Sequence, residues 1–356
     1  MNSIKTIYNS DCLEESRIKL NNNFSNLYYA YNAIKNDIQE TATRYNSVNY
    51  NVYKEAIRIN NILIPQIHNI RLSLDVDNPT TTQDVVSNTV TLHPYNGNSI
   101  SLFSSIYKTW VERVVTKKTF DLVYNDNTPL EADTNFDVFL FWDDKLNNFN
   151  INFIKWVDDT TNTTKVQGVR VLSDDKTRRF IGCLRTTNKG TTETTFNNST
   201  PKVYLWNYKN RVNTYVKCSV DTEYSISKIT NSATQPNWCK TLESITDSIA
   251  SRIYFLNGEA SFVQASYQNY FESDTPATVY SGVSIDSAID VTSPYGTACL
   301  VGQNTGYGSS VFSQIKGVVD RGAHFIQSFD ASTQYVKFNM LNSSVSNTVL
   351  MAIILC

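Results

Sequence analysis

Leu20-Asn-Asn-Asn-Phe24-Ser-Asn-Leu27-Tyr-Tyr-Ala-Tyr31-Asn-Ala-Ile34-Lys-Asn-Asp-Ile38 is the stretch that decides the fold. Its seam residues advance by four, then three, then four. The rhythm continues through Thr41, Tyr45, Val48, Val52, Ile59 and Ile62, with Glu55 the one charged member. Alternating steps of four and three mark the a and d positions of a heptad repeat, here sustained for about six heptads. A helix in an ordinary globular domain carries a wider apolar stripe that drifts out of a strict seven-residue register. The predicted element is a long α-helix with a narrow seam.

The positions beside the seam are mostly Asn, Lys, Asp, Arg and Gln. A single copy cannot bury such a seam by itself. No second long heptad helix follows in the chain, so the expected partner is another copy. β-branched and aromatic residues occur at both a and d, which suits a core wider than a two-stranded one. The expectation is a homotrimer. At about 1.5 Å per residue, Leu20 to Ile62 would make a shaft on the order of 60 Å long. Pro65 stops the helix. Upstream the pattern is poorer, because Arg17 falls on the seam, so residues 1–19 are expected to be a separate docking segment.

The texture changes at Arg71. Short β-branched and aromatic runs alternate with Asn, Asp, Gly, Pro and Thr clusters about every ten residues, as in a β-sandwich or jelly roll. Arg71-Leu-Ser-Leu-Asp75 alternates. Asn148-Phe-Asn-Ile-Asn-Phe153 sets Phe149, Ile151 and Phe153 on one face. Asp137-Val-Phe-Leu-Phe-Trp142 predicts a strand buried on both sides. Leu242 to Ile249 could hold a short turn of helix. The expected fold is mainly β with an N-terminal α-helical coiled coil: β-sandwich or jelly-roll-like domains on a trimeric stalk. The expected domains are a docking segment at 1–19, a stalk at 20–65, a β-sandwich at 66–215 and a second β domain at 216–356. One large two-sheet unit is the alternative for the last two.

Composition bounds the function. The chain has 356 residues and a net charge of −2, with 18% charged residues. A nearly neutral chain has no basic footprint for nucleic acid. No stretch approaches the roughly twenty apolar residues that span a bilayer, so no membrane insertion is expected. Residues 1–11 carry no apolar core of signal-peptide length, which predicts synthesis in a cytosol. The six cysteines, Cys12, Cys183, Cys218, Cys239, Cys299 and Cys356, form no CxxC pair. They fit neither a zinc site nor a compact disulfide framework, and buried reduced thiols are expected.

Candidate chemistry is sparse. The three histidines, His68, His93 and His324, lie in separate segments with no metal or nucleophile motif. Acidic doublets at Asp143-Asp144, Asp158-Asp159 and Asp174-Asp175 follow apolar strands. They could ligate calcium or act as a glycosidase pair, but the plainer expectation is turn residues accepting backbone hydrogen bonds. Lys117-Lys118 and Arg178-Arg179 are expected to be solvated edge residues that discourage sheet pairing. Gly302-Gln-Asn-Thr-Gly306 lacks a phosphate-loop lysine and predicts a turn. No catalytic residue, metal or cofactor is assigned. Tyr, Trp and Asn in loops would suit sugars through stacking and hydrogen bonds, although the same residues build β cores.

Four pieces of the β region resemble a module of structural proteins from tailed bacteriophages. They are Arg71-Leu-Ser-Leu with Pro79-Thr-Thr-Thr-Gln-Asp-Val85, His93-Pro-Tyr-Asn-Gly-Asn-Ser-Ile100, Asp137-Val-Phe139, and Thr177-Arg-Arg-Phe-Ile-Gly-Cys-Leu-Arg-Thr-Thr187 followed by Val203-Tyr-Leu-Trp-Asn-Tyr-Lys-Asn-Arg-Val212. A fainter likeness continues at Val283-Ser-Ile-Asp-Ser287 and Gly322-Ala-His-Phe325. Ser16 to Leu27 is similar to the start of many phage fibre proteins, where such a segment precedes the shaft. The resemblance implies a trimeric head or tail fibre on the virion, with capsid or tail proteins as partners and no established catalytic residues. Host attachment through bacterial surface glycans is the matching expectation. A glycan-degrading tail spike and a connector or decoration protein are the alternatives.

Overall fold

The computed structural model describes residues 13–39, 64–158, 162–198, 200–220, 224–226, 239–240, 251–273, 277–287, 297–304, 309–333, 335–338 and 348–356. They fall in two compact units, Met1–Gln66 and Ile67–Cys356.

The first unit contains one described α-helix, Leu13–Gln39. Glu14 and Glu15 occupy its first turn, where carboxylates oppose the positive end of the helix dipole. The helix begins before the expected boundary at 19/20, so residues 13–19 share one element with the start of the predicted stalk. Leu20, Phe24 and Leu27 of the seam stand on it 45%, 62% and 49% exposed. Tyr31, Ile34 and Ile38 lie in its later turns. Thr41, Tyr45, Val48, Val52, Ile59 and Ile62 lie outside the described residues. Pro65 sits in a short 3-10 turn, Ile64–Gln66.

The described elements of the second unit are all β-strands. Its described strands form sheets of fourteen, seven, three and two strands. The strand Arg179–Asn188 is a hub of the largest sheet. It pairs with Asn135–Asp143, Leu205–Asn207, Val169–Leu172 and Thr191–Thr195. Its side chains feed opposite faces: Phe180 and Cys183 enter one core, Ile181 and Leu184 the other. Asn135–Asp143 behaves alike, with Phe139 on one side and Phe136, Val138 and Leu140 on the other. A strand buried on both faces has no polar side to show, which is why its sequence is a continuous apolar run. Its hairpin partner Asn148–Lys155 buries Phe149, Ile151 and Phe153 on one face, as their alternation predicts.

Residues 67–356 form one unit, and the expected boundary at 215/216 falls inside the strand Asn213–Val220. That strand pairs along its whole length with Thr348–Leu355, near the other end of the chain. The register closes with reciprocal backbone bonds between Val212 and Cys356, 2.8 and 3.1 Å. One core joins Phe139, Phe180 and Trp206 of the large sheet to Val216, Leu350 and Ile354 of the seven-stranded sheet. A boundary there would cut through a shared apolar core.

One sequence expectation about a polar residue fails, and a second buried arginine shares the physical reason. Arg179, expected to be a solvated edge residue, is 2% exposed, and Arg71 is likewise buried at 5% exposure. Both are drawn inward because their guanidinium groups donate to main-chain oxygens that need partners. Arg71 reaches Asn210 and Cys356, the latter at 3.0 Å. Arg179 reaches Ile67 at 2.9 Å and Ser101 at 2.7 Å. The five-donor fork of arginine can satisfy several carbonyls at once, so a buried site becomes tolerable.

Beside Arg179 lies His68, 7% exposed, whose Nδ1 has no hydrogen-bond partner. Burial holds its pKa well below the usual value, helped by the positive charges of Arg179 and Lys209. The unfolded chain takes up a proton near pH 6.5 that the folded chain refuses. Stability is therefore full above pH 6.5 and falls as pH drops, by up to about 1.4 kcal/mol per pH unit. Urea unfolding at pH 7.5 and 5.5 will show this loss, and the replacement His68→Gln will flatten that part of the profile.

The seven-stranded sheet turns Val263, Ala265, Tyr267, Ile315, Leu350 and Ala352 into the shared core. Its other face alternates outward and is unusually apolar. Tyr215, Phe262, Phe312, Val318 and Met351 are 69%, 51%, 48%, 56% and 41% exposed. Phe262 faces Val318 across one ladder, and Tyr215 faces Ile353 across another.

Candidate functional site

Two polar constellations stand out in the β unit. The first is buried. Asp137 Oδ1 accepts from Arg321 Nη2 at 2.9 Å, Trp156 Nε1 at 2.9 Å and Cys183 Sγ at 3.2 Å. The Arg321 guanidinium lies over the Trp156 ring, 3.4 Å from its centroid, and donates to the Gly258 carbonyl at 3.1 Å. Burial pushes the Asp137 carboxyl up, opposed by Arg321 and by the bonds from Cys183 and Trp156. Burial also pushes the Cys183 thiol well up, so it is no nucleophile. With side-chain exposures of 8% and 3% for Arg321 and Asp137, no substrate reaches this cluster. It ties the strand Asn135–Asp143 to the turn that precedes Gly322–Ser332.

The second constellation is an open cleft of about 650 Å³. It crosses five neighbouring strands of the large sheet: Gly322–Ser332, Arg252–Asn257, Lys202–Val203, Thr191–Thr195 and Arg179–Asn188. Three lining residues are in direct register, Lys202 opposite Tyr254 and Tyr254 opposite Phe325. The Tyr254 and Phe325 rings lie 6.2 Å apart at 47°, both half-buried, and so form a partly open aromatic floor. Tyr204 is more enclosed, 7% exposed, and desolvation pushes its hydroxyl up to about 12. It therefore stays protonated near neutral pH.

The charges of the cleft are paired. Lys202 Nζ meets Glu193 at 2.7 Å. Arg185 meets Asp133 at 3.8 Å and Asn135 Oδ1 at 3.0 Å. His324 sits between Asp286 Oδ2 at 2.7 Å and the Asp320 carbonyl at 2.9 Å. This arrangement offers aromatic faces, hydroxyls and fixed dipoles. Among its lining residues it offers no lone charge; Arg252, beside the floor, is held by Gln327 and the Tyr254 hydroxyl.

Of the residues singled out from the sequence for candidate chemistry, only His324 lines the cleft. His93 is buried, bonded to the Asp75 carbonyl at 3.0 Å. Asp143 and Asp175 accept backbone hydrogen bonds inside turns. Asp144 faces Arg113 at 4.0 Å, and Asp159 lies outside the described residues. Lys117 pairs with Asp77, and Arg178 with Asp175. Cys183, Cys218 and Cys356 are buried thiols. Among the described residues, no three His, Cys, Asp or Glu side chains converge as metal ligands, and no helix is long and apolar enough to cross a membrane. The predicted helix turn at Leu242 to Ile249 lies outside the described residues.

No protein family's sequence profile matches the chain. No curated protein matches it either. Among solved structures, the crystal structure of a Bacillus thuringiensis Cry1Da tryptic core variant aligns with a TM-score of 0.21 at 8% identity, over 75% of this chain and 48% of that one. The chain thus spans about half the length of that structure, and a likeness this distant carries no argument about fold or function.

Proposed function

We propose that the chain is a homotrimeric surface fibre of a tailed-phage particle, a structural and adhesive protein with no catalytic step. The observation that carries it is the uncovered seam. Leu20, Phe24 and Leu27 fall at a and d spacing on one helix and stand about half exposed. Heptad residues left in water in one copy are covered when copies associate. On this reading the heptad seam that begins at Leu20 is the stalk, and residues before Leu20 attach to capsid or tail proteins.

The outer face of the seven-stranded sheet supports the same reading. Its four strands Asn213–Val220, Thr348–Leu355, Ser261–Glu272 and Ser309–Val319, of 8, 8, 12 and 11 residues and spaced about 4.8 Å apart, span on the order of 500 Å². On it Tyr215, Phe262, Phe312, Val318 and Met351 alternate with Lys217, Gln264, Gln314 and Lys316, and the whole face approaches the ~800 Å² each partner contributes to a standard interface. A second copy of the chain, brought alongside by the stalk, is the occupant we assign to it. The packing of the two large sheets on one core is read as jelly-roll-like sandwich architecture.

The resemblance to phage structural modules supplies the setting on a virion. An antibody against residues 67–356 tests it. It will decorate intact particles of the phage that encodes this chain, while labelling only after particle disruption would overturn the surface assignment. Incubation with host capsular polysaccharide will release no reducing ends. Release that disappears on replacing Glu193 would make the protein a degrading spike.

A further inference from the structure

We infer that the cleft floored by Tyr254 and Phe325 binds a neutral saccharide of one or two rings. This deepens the fibre reading, on which it rests for the source of the glycan. The volume of about 650 Å³ lies in the range of small-ligand clefts. Its floor matches the apolar C–H face of a sugar ring. The two aromatic rings are adjacent in register, inclined to each other and each partly exposed, with the Arg252 guanidinium 4.7 Å over the Phe325 ring. A pair serving only the core would be covered, as Phe180 and Trp206 are, both at 0% exposure.

The walls match the hydroxyls. Asn188 and Thr200 line the cleft beside the Tyr204 hydroxyl, which is held in its donating form. These groups donate and accept without carrying charge.

The charge pattern sets the class of sugar. Lys202 and Arg185 each have a carboxylate partner lining the same cleft. A uronic acid, sialic acid or phosphate would need a cation free to receive it and would also meet Glu193 and Asp133. A neutral ring meets neither obstacle. It uses the paired ions as fixed hydrogen-bonding dipoles. Three copies on one stalk would multiply a weak single contact through avidity.

The full-length protein should be applied to an array of neutral, sialylated and uronic-acid oligosaccharides, and the best neutral ligand titrated by calorimetry. Neutral glycans are expected to bind. Tyr254→Ala and Phe325→Leu should weaken binding about tenfold or more, the loss of one stacked face. Tyr254→Phe keeps the ring and should stay within about threefold of the parent. Tyr107→Ala, an exposed tyrosine outside both the cleft and the outer face of the seven-stranded sheet, should leave binding unchanged. Phe325→Leu retains apolar bulk and should melt like the parent, so its loss of binding will not reflect unfolding. Binding of acidic glycans alone, no glycan binding, or indifference to the Tyr254 and Phe325 replacements would each overturn the assignment. Light scattering on the same samples separates the two proposals. A trimer without sugar binding refutes only the cleft, and a sugar-binding monomer refutes only the fibre.

Discussion

Replacing Arg321 with Ala will lower the unfolding free energy of the β unit by about 3–5 kcal/mol, the range for breaking one half of a buried ion pair. The size follows from enclosure. Asp137 and Arg321 are 3% and 8% exposed, and the bond between them is 2.9 Å. Without the guanidinium, Asp137 keeps its bonds from Trp156 and Cys183 but loses its one charged partner. The plane stacked on Trp156 goes as well, leaving a void between the large sheet and the turn before Gly322.

The pH dependence of this variant has a definite sign. The folded Asp137 carboxyl, already pushed up by burial, rises further when Arg321 is removed. A folded pKa above the unfolded one means stability is greatest below the unfolded value near 4 and is lost as pH rises toward the folded one. Arg321→Lys keeps the charge but neither the fork nor the stacked plane, and it should fall between parent and alanine variant. Urea unfolding near pH 7 checks the series. A loss under about 1 kcal/mol for Arg321→Ala would equate this pair with a solvated surface bridge and contradict its role as a tie.

The second large effect concerns assembly. The double replacement Leu20→Asp with Leu27→Asp will dissociate the protein to single chains of 40.4 kDa. Each associated copy would bring two carboxylates into a seam facing the same charges from its partners. Burying a carboxylate without a counter-charge costs several kcal/mol, and repetition around an axis multiplies the cost. The β unit should keep its own unfolding transition, because its core contains none of these residues. Sedimentation velocity reads the mass, and circular dichroism reads the sheet. An unchanged oligomer would show that the seam does not hold copies together.

How much of this was legible beforehand differs by residue. Asn135–Asp143 and Asn148–Lys155 could be read because strand period and burial agree locally. The alternation of Phe149, Ile151 and Phe153 reflects one buried face. The inward turns of Arg71 and Arg179 could not be read, since their acceptors lie 285 and 112 residues away in the chain. The unity of residues 67–356 was hidden for the same reason. Turn-like Asn210-Arg-Val-Asn213 reads locally as a break, yet the next strand pairs with Thr348–Leu355.

The cleft was the least legible feature. It draws its lining from five strands and the segments beside them, and no spacing in the chain joins Lys202 to Tyr254 and Phe325. Only the fold sets them in register. Three of its segments, Arg185 to Thr187, Tyr204 and Ala323 to Phe325, do lie in stretches that resemble the phage module. That signal marked the segments without indicating that they meet.

The central claim is that copies of this chain hold each other through the seam that begins at Leu20. Multi-angle light scattering of the purified protein at several concentrations tests it most directly. The account predicts a constant mass of about three times 40.4 kDa. A stable particle of 40.4 kDa at all concentrations would contradict it.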